Sequence, residues 1–345
     1  MRVCVLNISL DVKSHDVAGQ TGRLGMRISV AMCTFNGAQY LDEQLESILS
    51  QVRLPDEVVI CDDGSRDDTR DILRAFANEA PFKTHIHFNE TTLGSTKNFE
   101  KAISLCSGDI IALSDQDDVW HPQKLARVEQ VFMRNHEIKG VFTNADVVDQ
   151  HLRSFDFSLW DVVGFHKKEQ MLVQKGRALD VLLKHLVVTG STLAFRSSRK
   201  DVLIPIPSCW VHDAWIALNL AMGSNIAIIQ ERLIKYRQHG RNQIGASPKG
   251  ISYRFNEAFA TERQTYYSSE IERYEIAYDH FCKCLSPDHV NLKKLYSKIQ
   301  HLQTRSRLPV QRNLRLPIIL KELFAGKYSQ YSTSWQVAIK DLLIP

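Results

Sequence analysis

The segment Ser114-Asp115-Gln116-Asp117-Asp118-Val119-Trp120 places three carboxylates within four residues, directly after the apolar run DIIAL. Like charges so close repel one another, so the cluster is unfavourable unless a cation or a donor network offsets it. A divalent ion that prefers hard oxygen ligands, Mg²⁺ or Mn²⁺, would do this while bridging to a diphosphate. The alternative is local, with the acids capping a helix that begins near Pro122. A second acidic pair, in Cys61-Asp62-Asp63-Gly64-Ser65, follows EVVI, and Cys33-Thr34-Phe35-Asn36-Gly37 follows an earlier apolar run. Asp63 can accept the imide proton of a uracil or thymine ring. Phe35 offers a face to base or ribose, and Thr34 and Asn36 offer hydrogen bonds. A turn with helix capping, by Asp67 or Asp68, explains the second pair equally well.

These side chains need a scaffold that brings their segments to one edge, and the surrounding pattern supplies it. From Ile28 the chain alternates strand-like and helix-like segments: ISVAMC, Ala38 to Ser50, EVVIC, Asp68 to Ala80, THIHF, Ser95 to Cys106, DIIAL, and a helix after Pro122. Such alternation implies a mainly parallel sheet flanked by helices, with ligands bound at the carboxyl ends of the strands. Beyond Gly140 the rhythm loosens into VFTNADVV as a strand, a helix between Glu169 and Leu183, an STLAF strand, a helix from Val211 to Met222, and two short strands, NIAII and RLIKY. The expected organisation is a leader over residues 1–25, outside a folded unit that starts naturally at Met26, a nucleotide-binding unit over 26–245, and a helical region over 246–345.

Bulk properties bound the function. A chain of 345 residues with 44% hydrophobic content buries an ordinary core, and a net charge of +4 argues neither for a nucleic-acid partner nor for an acidic tail, and no nucleic acid is expected. The seven cysteines are odd in number and scattered, the usage of reduced thiols in a cytosolic protein, and Cys282 and Cys284 alone are too few for a zinc site. No run approaches the roughly eighteen apolar residues of a membrane span, and no signal-peptide layout opens the chain. The expected location is the cytoplasm, with at most peripheral contact at the inner face of the membrane.

The strings VAMCTFNGAQYLDEQLESILSQ, EVVICDDGSRDDT, LGSTKNFEKAI, GDIIALSDQDDVWHPQKL, VVTGSTLAF, HDAW and YRQHGRN, in that order and spacing, resemble the family 2 glycosyltransferases. The resemblance covers roughly Met26 to Gly245, and within the family it is nearest to bacterial rhamnosyltransferase types. It implies a GT-A fold with a Rossmann-like nucleotide-binding half. It also implies a nucleoside-diphosphate sugar donor, dTDP-rhamnose ahead of UDP-hexoses, and a glycan or lipid-linked oligosaccharide acceptor. By the same resemblance the nucleoside lies against Cys33, Thr34, Phe35, Asn36 and Asp63. Asp115 and Asp117 hold metal and diphosphate, and Asp118 stands beside them. Asp213 falls at the catalytic base and His239 near the metal. Trp120, Gly190, Ser191, His212 and Trp215 would shape the sugar and acceptor pocket. Alanine at 214 stands where such enzymes often carry a further tryptophan, and the Gln-x-x-Arg-Trp signature of processive members is absent.

Read for chemistry, a metal at Asp115 and Asp117 would take up charge on the leaving diphosphate, while Asp213 deprotonates an acceptor hydroxyl. One base and no second carboxylate nucleophile imply inversion at the anomeric carbon. Without the resemblance Asp213 reads as a surface residue of an amphipathic helix. His239, beside Arg237, Gln238, Arg241 and Asn242, is a ligand, a phosphate donor or a loop organiser. Gly190 and Ser191 form an acceptor-side wall or a tight strand entry. Between Val290 and Leu320 seven basic residues interleave with leucine and isoleucine without an acid. That pattern suits docking on an anionic membrane or a helical cap packed on the catalytic unit. A nucleotidyltransferase and a non-catalytic nucleotide- or glycan-binding protein are the competing classes. The first lacks a Gly-rich phosphate loop after the first strand, and the second leaves Asp117 and Asp213 together unexplained.

Overall fold

The computed structural model describes residues 25–223, 225–240 and 263–343. The leader, apart from Gly25, and the first part of the tail region lie outside the described residues, as do Arg241 and Asn242.

One sheet organises the molecule, in the order β3-β2-β1-β4-β8-β6-β9-β5, with β7 paired to β6. Its first half comprises β1 (Ile28–Thr34), β2 (Glu57–Asp62), β3 (Lys83–Phe88) and β4 (Ile110–Ser114), mutually parallel. They are joined through α1 (Ala38–Leu49), α2 (Thr69–Glu79) and α3 (Ser95–Leu105). Strands β1, β2 and β4 are buried almost throughout, as continuous apolar runs covered on both faces must be, whereas β3 is an edge strand and half exposed. Register places Thr34 beside Asp62 and Met32 beside Ser114. The loops carrying Phe35, Asp63 and Asp115 therefore leave the sheet side by side.

The second half is mixed. After β5 (Val119–Trp120) and α4 (Lys124–Arg134) comes the long β6 (Ile138–Val148), then β7 (Ser154–Ser158), the short α5 (Leu159–Val162), α6 (Lys167–Gln174) and α7 (Ala178–Leu182). A 3-10 turn at Gly190–Thr192 leads into β8 (Leu193–Arg196), which runs antiparallel to β4 and β6. Then follow α8 (Lys200–Leu203), α9 (His212–Gly223) and β9 (Asn225–Arg237).

Three expectations are corrected here. The helix expected from Glu169 to Leu183 is two, α6 and α7, broken where Gly176 takes φ +74°. NIAII and RLIKY are one strand, β9, parallel to β6, whose irregularities around Thr143 to Asp146 absorb the polar residues between them. The amphipathic reading of α9 fails, because nearly every residue from His212 to Met222 is buried.

The C-terminal helices are α10 (Arg263–Cys282), α11 (Val290–Ser306), α12 (Arg312–Phe324), α13 (Lys327–Tyr331) and α14 (Gln336–Leu343). Tyr274, Ala277 and Phe281 of α10 and Leu292, Leu295, Ile299 and Leu302 of α11 belong to the same apolar core as Trp215, Ile216 and Phe99. A boundary at 245 therefore does not separate two cores. Three of the basic residues expected on a solvated face are internal: Lys298 donates to the Tyr331 carbonyl at 2.8 Å, Arg305 pairs with Asp341 at 2.7 Å, and Arg315 donates to the carbonyls of Pro309 and Val310.

Candidate active site

The acidic loop is anchored at both ends. Its start is β4, and its far end, β5, pairs antiparallel with β9 through Trp120 and Ile234. Gln44 of α1, oriented to suit its neighbours, accepts from Ser114 Oγ at 2.7 Å and Trp120 Nε1 at 3.2 Å and donates to the Asp118 carbonyl at 2.7 Å. Gln116 turns away from its acidic neighbours and pairs with the Phe35 backbone, accepting from N–H at 2.8 Å and donating to C=O at 3.1 Å. This joins the loop after β1 to the loop after β4, and it leaves the Phe35 ring 49% exposed.

Around that frame the carboxylates converge. Asp117 Oδ2 lies 2.8 Å from His239 Nε2, and the His239 ring rests 4.8 Å from that of Tyr40. Asp118 is buried, accepts from the Arg237 amide at 3.1 Å through Oδ1, and leaves Oδ2 without a partner. Burial first, then repulsion by Asp117, pushes its carboxyl up to about 7. Burial and the charges of Asp118, Asp117 and Asp213 likewise raise Asp115 well above the usual carboxylate range. Burial followed by the same four carboxylates raises Tyr236. Asp213, brought in by the start of α9, thus acts electrostatically on the acids at the end of β4. Its Oδ2 accepts from the Gly190 amide at 3.1 Å and its Oδ1 from the Ala214 amide at 2.6 Å.

Two cations beneath the site carry no role in the motif reading. Lys124 is fully buried, donates to the Ser191 carbonyl at 2.6 Å and lies 3.4 Å above the Trp120 ring. Burial drives its ammonium well below the ordinary lysine range, while Asp118 and Asp115 pull it back up. Its sequence signal was its position, since Lys124, Val128 and Phe132 recur at helical spacing on the buried stripe of α4. Arg237 is also buried and stacks 4.5 Å from the Tyr40 ring. It donates to the Asp117 and Gln150 carbonyls at 2.7 Å each and pairs with Glu43. Those donors bind the protein and tie the acidic loop to β9 and α1.

The nucleoside side is equally specific. Asp63 is buried and accepts from Asn89 Nδ2 at 2.8 Å, the Leu93 amide at 2.7 Å and the Gly94 amide at 2.9 Å, which leaves Oδ2 room for one more donor. Thr34 Oγ1 donates to Asp62 at 3.0 Å, and Asn36, at φ +48°, accepts from the Arg66 amide at 2.9 Å. Both side chains therefore shape the loop. Cys33 is half-buried at the end of β1, and its thiol is pushed up by burial.

The expected pocket residues divide. Gly190 and Ser191 form the turn against Asp213 and Lys124, and Ser191 Oγ is buried without a partner. His212 stacks on Phe99 at 4.0 Å, and neither of its ring nitrogens has a partner. Trp215 is 0% exposed, donates from Nε1 to the Leu203 carbonyl at 2.8 Å and packs against Trp210 and Phe281, so it has no face for a sugar. Trp120 is buried as well and serves as the platform under Lys124.

Among the described residues no three His, Cys, Asp or Glu side chains gather closely enough to hold a metal unaided. The residues fit a cation shared with a ligand instead. Asp117 and His239 are hydrogen-bonded to each other, and the nearby Asp118 Oδ2 is a buried orphan, so a cation would take oxygen ligands from these carboxylates together with a bound diphosphate.

Known proteins are similar to this chain in sequence and in fold. The Glycosyl transferase family 2 model matches residues 29–198. An uncharacterized glycosyltransferase of Nostoc sp. is 31% identical over 63% of this chain and 66% of its own length. The dTDP-rhamnosyl transferase RfbG of Shigella flexneri is 26% identical over 63% of this chain and 74% of its own. The chain spans less than two thirds of the length of the first of these relatives and of a Mycobacterium bovis protein, at 66% and 59%. In fold, S. aureus TarS 1-349 in complex with UDP-GlcNAc superposes with a TM-score of 0.58 at 15% identity, over 92% of this chain and 88% of that one. The mannosyltransferase PcManGT of Pyrobaculum calidifontis, in complex with GDP-Man and Mn²⁺, gives 0.50 at 16%, over 93% and 88%. With the sheet order, the acidic loop after β4 and the profile match in agreement, residues 29–198 are a glycosyl transferase family 2 domain built on the GT-A fold.

Proposed function

We propose that the protein is an inverting glycosyltransferase that moves a sugar, rhamnose from dTDP-rhamnose ahead of a hexose from a UDP-sugar, onto an acceptor hydroxyl in cell-surface polysaccharide synthesis. The observation that supports this reading is that the Gly190–Ser191 turn holds Asp213 through the Gly190 amide and Lys124 through the Ser191 carbonyl, which brings Asp213 within electrostatic reach of Asp115 beside Asp117 and Asp118. Asp213 accepts the proton of the acceptor hydroxyl, whose oxygen forms the new bond to the anomeric carbon. The bond from that carbon to the diphosphate breaks on the other side, and the nucleoside diphosphate leaves with the electron pair. A divalent cation, when bound at Asp117 and His239 with Asp115 and Asp118 nearby, would supply Lewis-acid stabilisation of the departing charge. Phe35 and the free acceptor site on Asp63 Oδ2 would hold the base, and Gly190 would keep Asp213 aimed.

The rhamnose preference is supported by the motif resemblance and by the Shigella relative. The solved neighbours carry UDP-GlcNAc and GDP-Man, so the shared fold does not choose a donor. A screen of nucleotide sugars for donor hydrolysis, with and without Mn²⁺, tests the proposal. Hydrolysis of dTDP-rhamnose above UDP-hexoses and its loss on chelation are expected. Equal turnover after full chelation would remove the metal from the reading, and release of pyrophosphate from a nucleoside triphosphate would favour a nucleotidyltransferase.

A further inference from the structure

The described C-terminal helices leave an apolar surface uncovered. On α12, Leu316, Leu320 and Phe324 recur at helical spacing on the exposed side, and Phe324 is 87% exposed. Next to α14, Trp335 is 63% exposed, and Ile339 and Leu343 follow at four-residue steps. The two helices meet through a small cluster of Leu308, Ile319, Tyr328 and Ala338, so their outward stripes belong to one body. Exposed apolar stripes of this size on a folded unit mark an interaction surface.

Charge identifies the occupant. Between Arg307 and Leu343 the only carboxylates are Glu322 and Asp341, and both turn inward, onto His301 at 2.6 Å and Arg305 at 2.7 Å. Arg307, Arg312 and Lys321 are exposed around the stripes, and Lys327 and Lys340 are half-buried. A surface that combines aromatic and leucine side chains with a rim of cations and no free carboxylate matches an anionic lipid bilayer. No described helix is long and apolar enough to cross one. We propose that α12 and α14 dock this protein peripherally on an anionic membrane surface, with Phe324, Leu320 and Trp335 entering the headgroup region. The sequence alone left Val290–Leu320 between this role and a helical cap on the catalytic unit. The structure moves the role, because Leu292, Leu295, Ile299 and Leu302 face the core.

The test is co-sedimentation of the full chain with phosphatidylcholine vesicles that contain or lack about a third phosphatidylglycerol, with tryptophan emission read in parallel. Binding to the anionic vesicles, at least about tenfold weaker binding to the neutral ones, and weakening by 0.5 M salt are expected. Leu320→Glu/Phe324→Glu should reduce partition at least about tenfold with circular dichroism unchanged, since the replaced groups are exposed and outside the core. Trp335→Phe should keep partition and lose most of the blue shift. Equal partition on neutral vesicles, unaltered partition of the double variant, or a concentration-dependent dimer that the double variant abolishes in place of vesicle binding would each overturn the proposal. Partition is measured without any sugar donor, so its failure is separate from failure of the proposed reaction.

Discussion

At the residue scale the site depends on how few atoms hold Asp213. Its carboxylate rests on two amides, Gly190 and Ala214, and has no cationic partner within ion-pair distance among the described residues. Asp213→Asn keeps the shape and removes the basicity. It is expected to lower kcat by roughly 10² to 10⁴ while nucleotide binding, followed by calorimetry, stays within a factor of about two. Loss of nucleotide binding in parallel would make Asp213 a binding residue instead. Gly190→Ala tests the same geometry from the other side. A methyl there would meet His212 Nε2 at 2.8 Å and Asp213 Cβ at 3.7 Å, so the His212 ring would have to shift from its stack on Phe99. A fall in kcat of about tenfold or more, with donor KM little changed, is expected from steady-state kinetics. Asp115, Asp117 and Asp118 stood out by residue type and spacing, whereas Asp213 was singled out by the family resemblance alone. Lys124 and Arg237 were not assigned their roles, because a lysine in a first helical turn and an arginine at a strand end read as solvated until packing shows them buried.

At the element scale the C-terminal helices keep cations where water does not reach. Burial pushes the Lys298 ammonium down to about 7, with Glu270 pulling the other way. Unfolded lysine titrates near ~10.4, so between about 7 and 10 the unfolded chain holds a proton that the folded chain has released. Stability from this group therefore rises with pH across that window, and below about 7 the cost of burying the charge is fully present. Lys298→Met should flatten the rise. Urea midpoints at pH 7 and 9.5 for both proteins check it, and equal slopes would mean that Lys298 keeps an ordinary affinity for its proton. Strand and helix alternation up to α4 was readable because each period was long and apolar. The break at Gly176 and the continuity of β9 were not, since one depends on a left-handed φ and the other on pairing with β6.

At the scale of the whole molecule, the GT-A unit and the tail share a core. Tyr274, Phe281, Leu295 and Ile299 belong to one apolar core with Trp215 and Ile216 of α9, where Phe281 packs on Trp215, and α9 also delivers Asp213. The full chain is expected to lose near- and far-UV circular dichroism in one coincident thermal transition, and a chain ended at 262 is expected to lack the near-UV signal. A truncated chain with native near-UV intensity and its own cooperative melt would show that the two parts fold independently.

The order of residue types by itself determined the parallel half of the sheet, the strand ends that carry Phe35, Asp63 and Asp115, and the glycosyltransferase resemblance. Period and spacing are local properties, and three adjacent parallel strands must open their loops at one edge. Tertiary structure alone decided that Asp213 faces those loops from a helix about a hundred residues later in the chain, that Lys124 and Arg237 sit beneath them, and that Trp215 belongs to the core. Burial and electrostatic neighbourhood arise from contacts distant in sequence, and no window of the chain contains both partners.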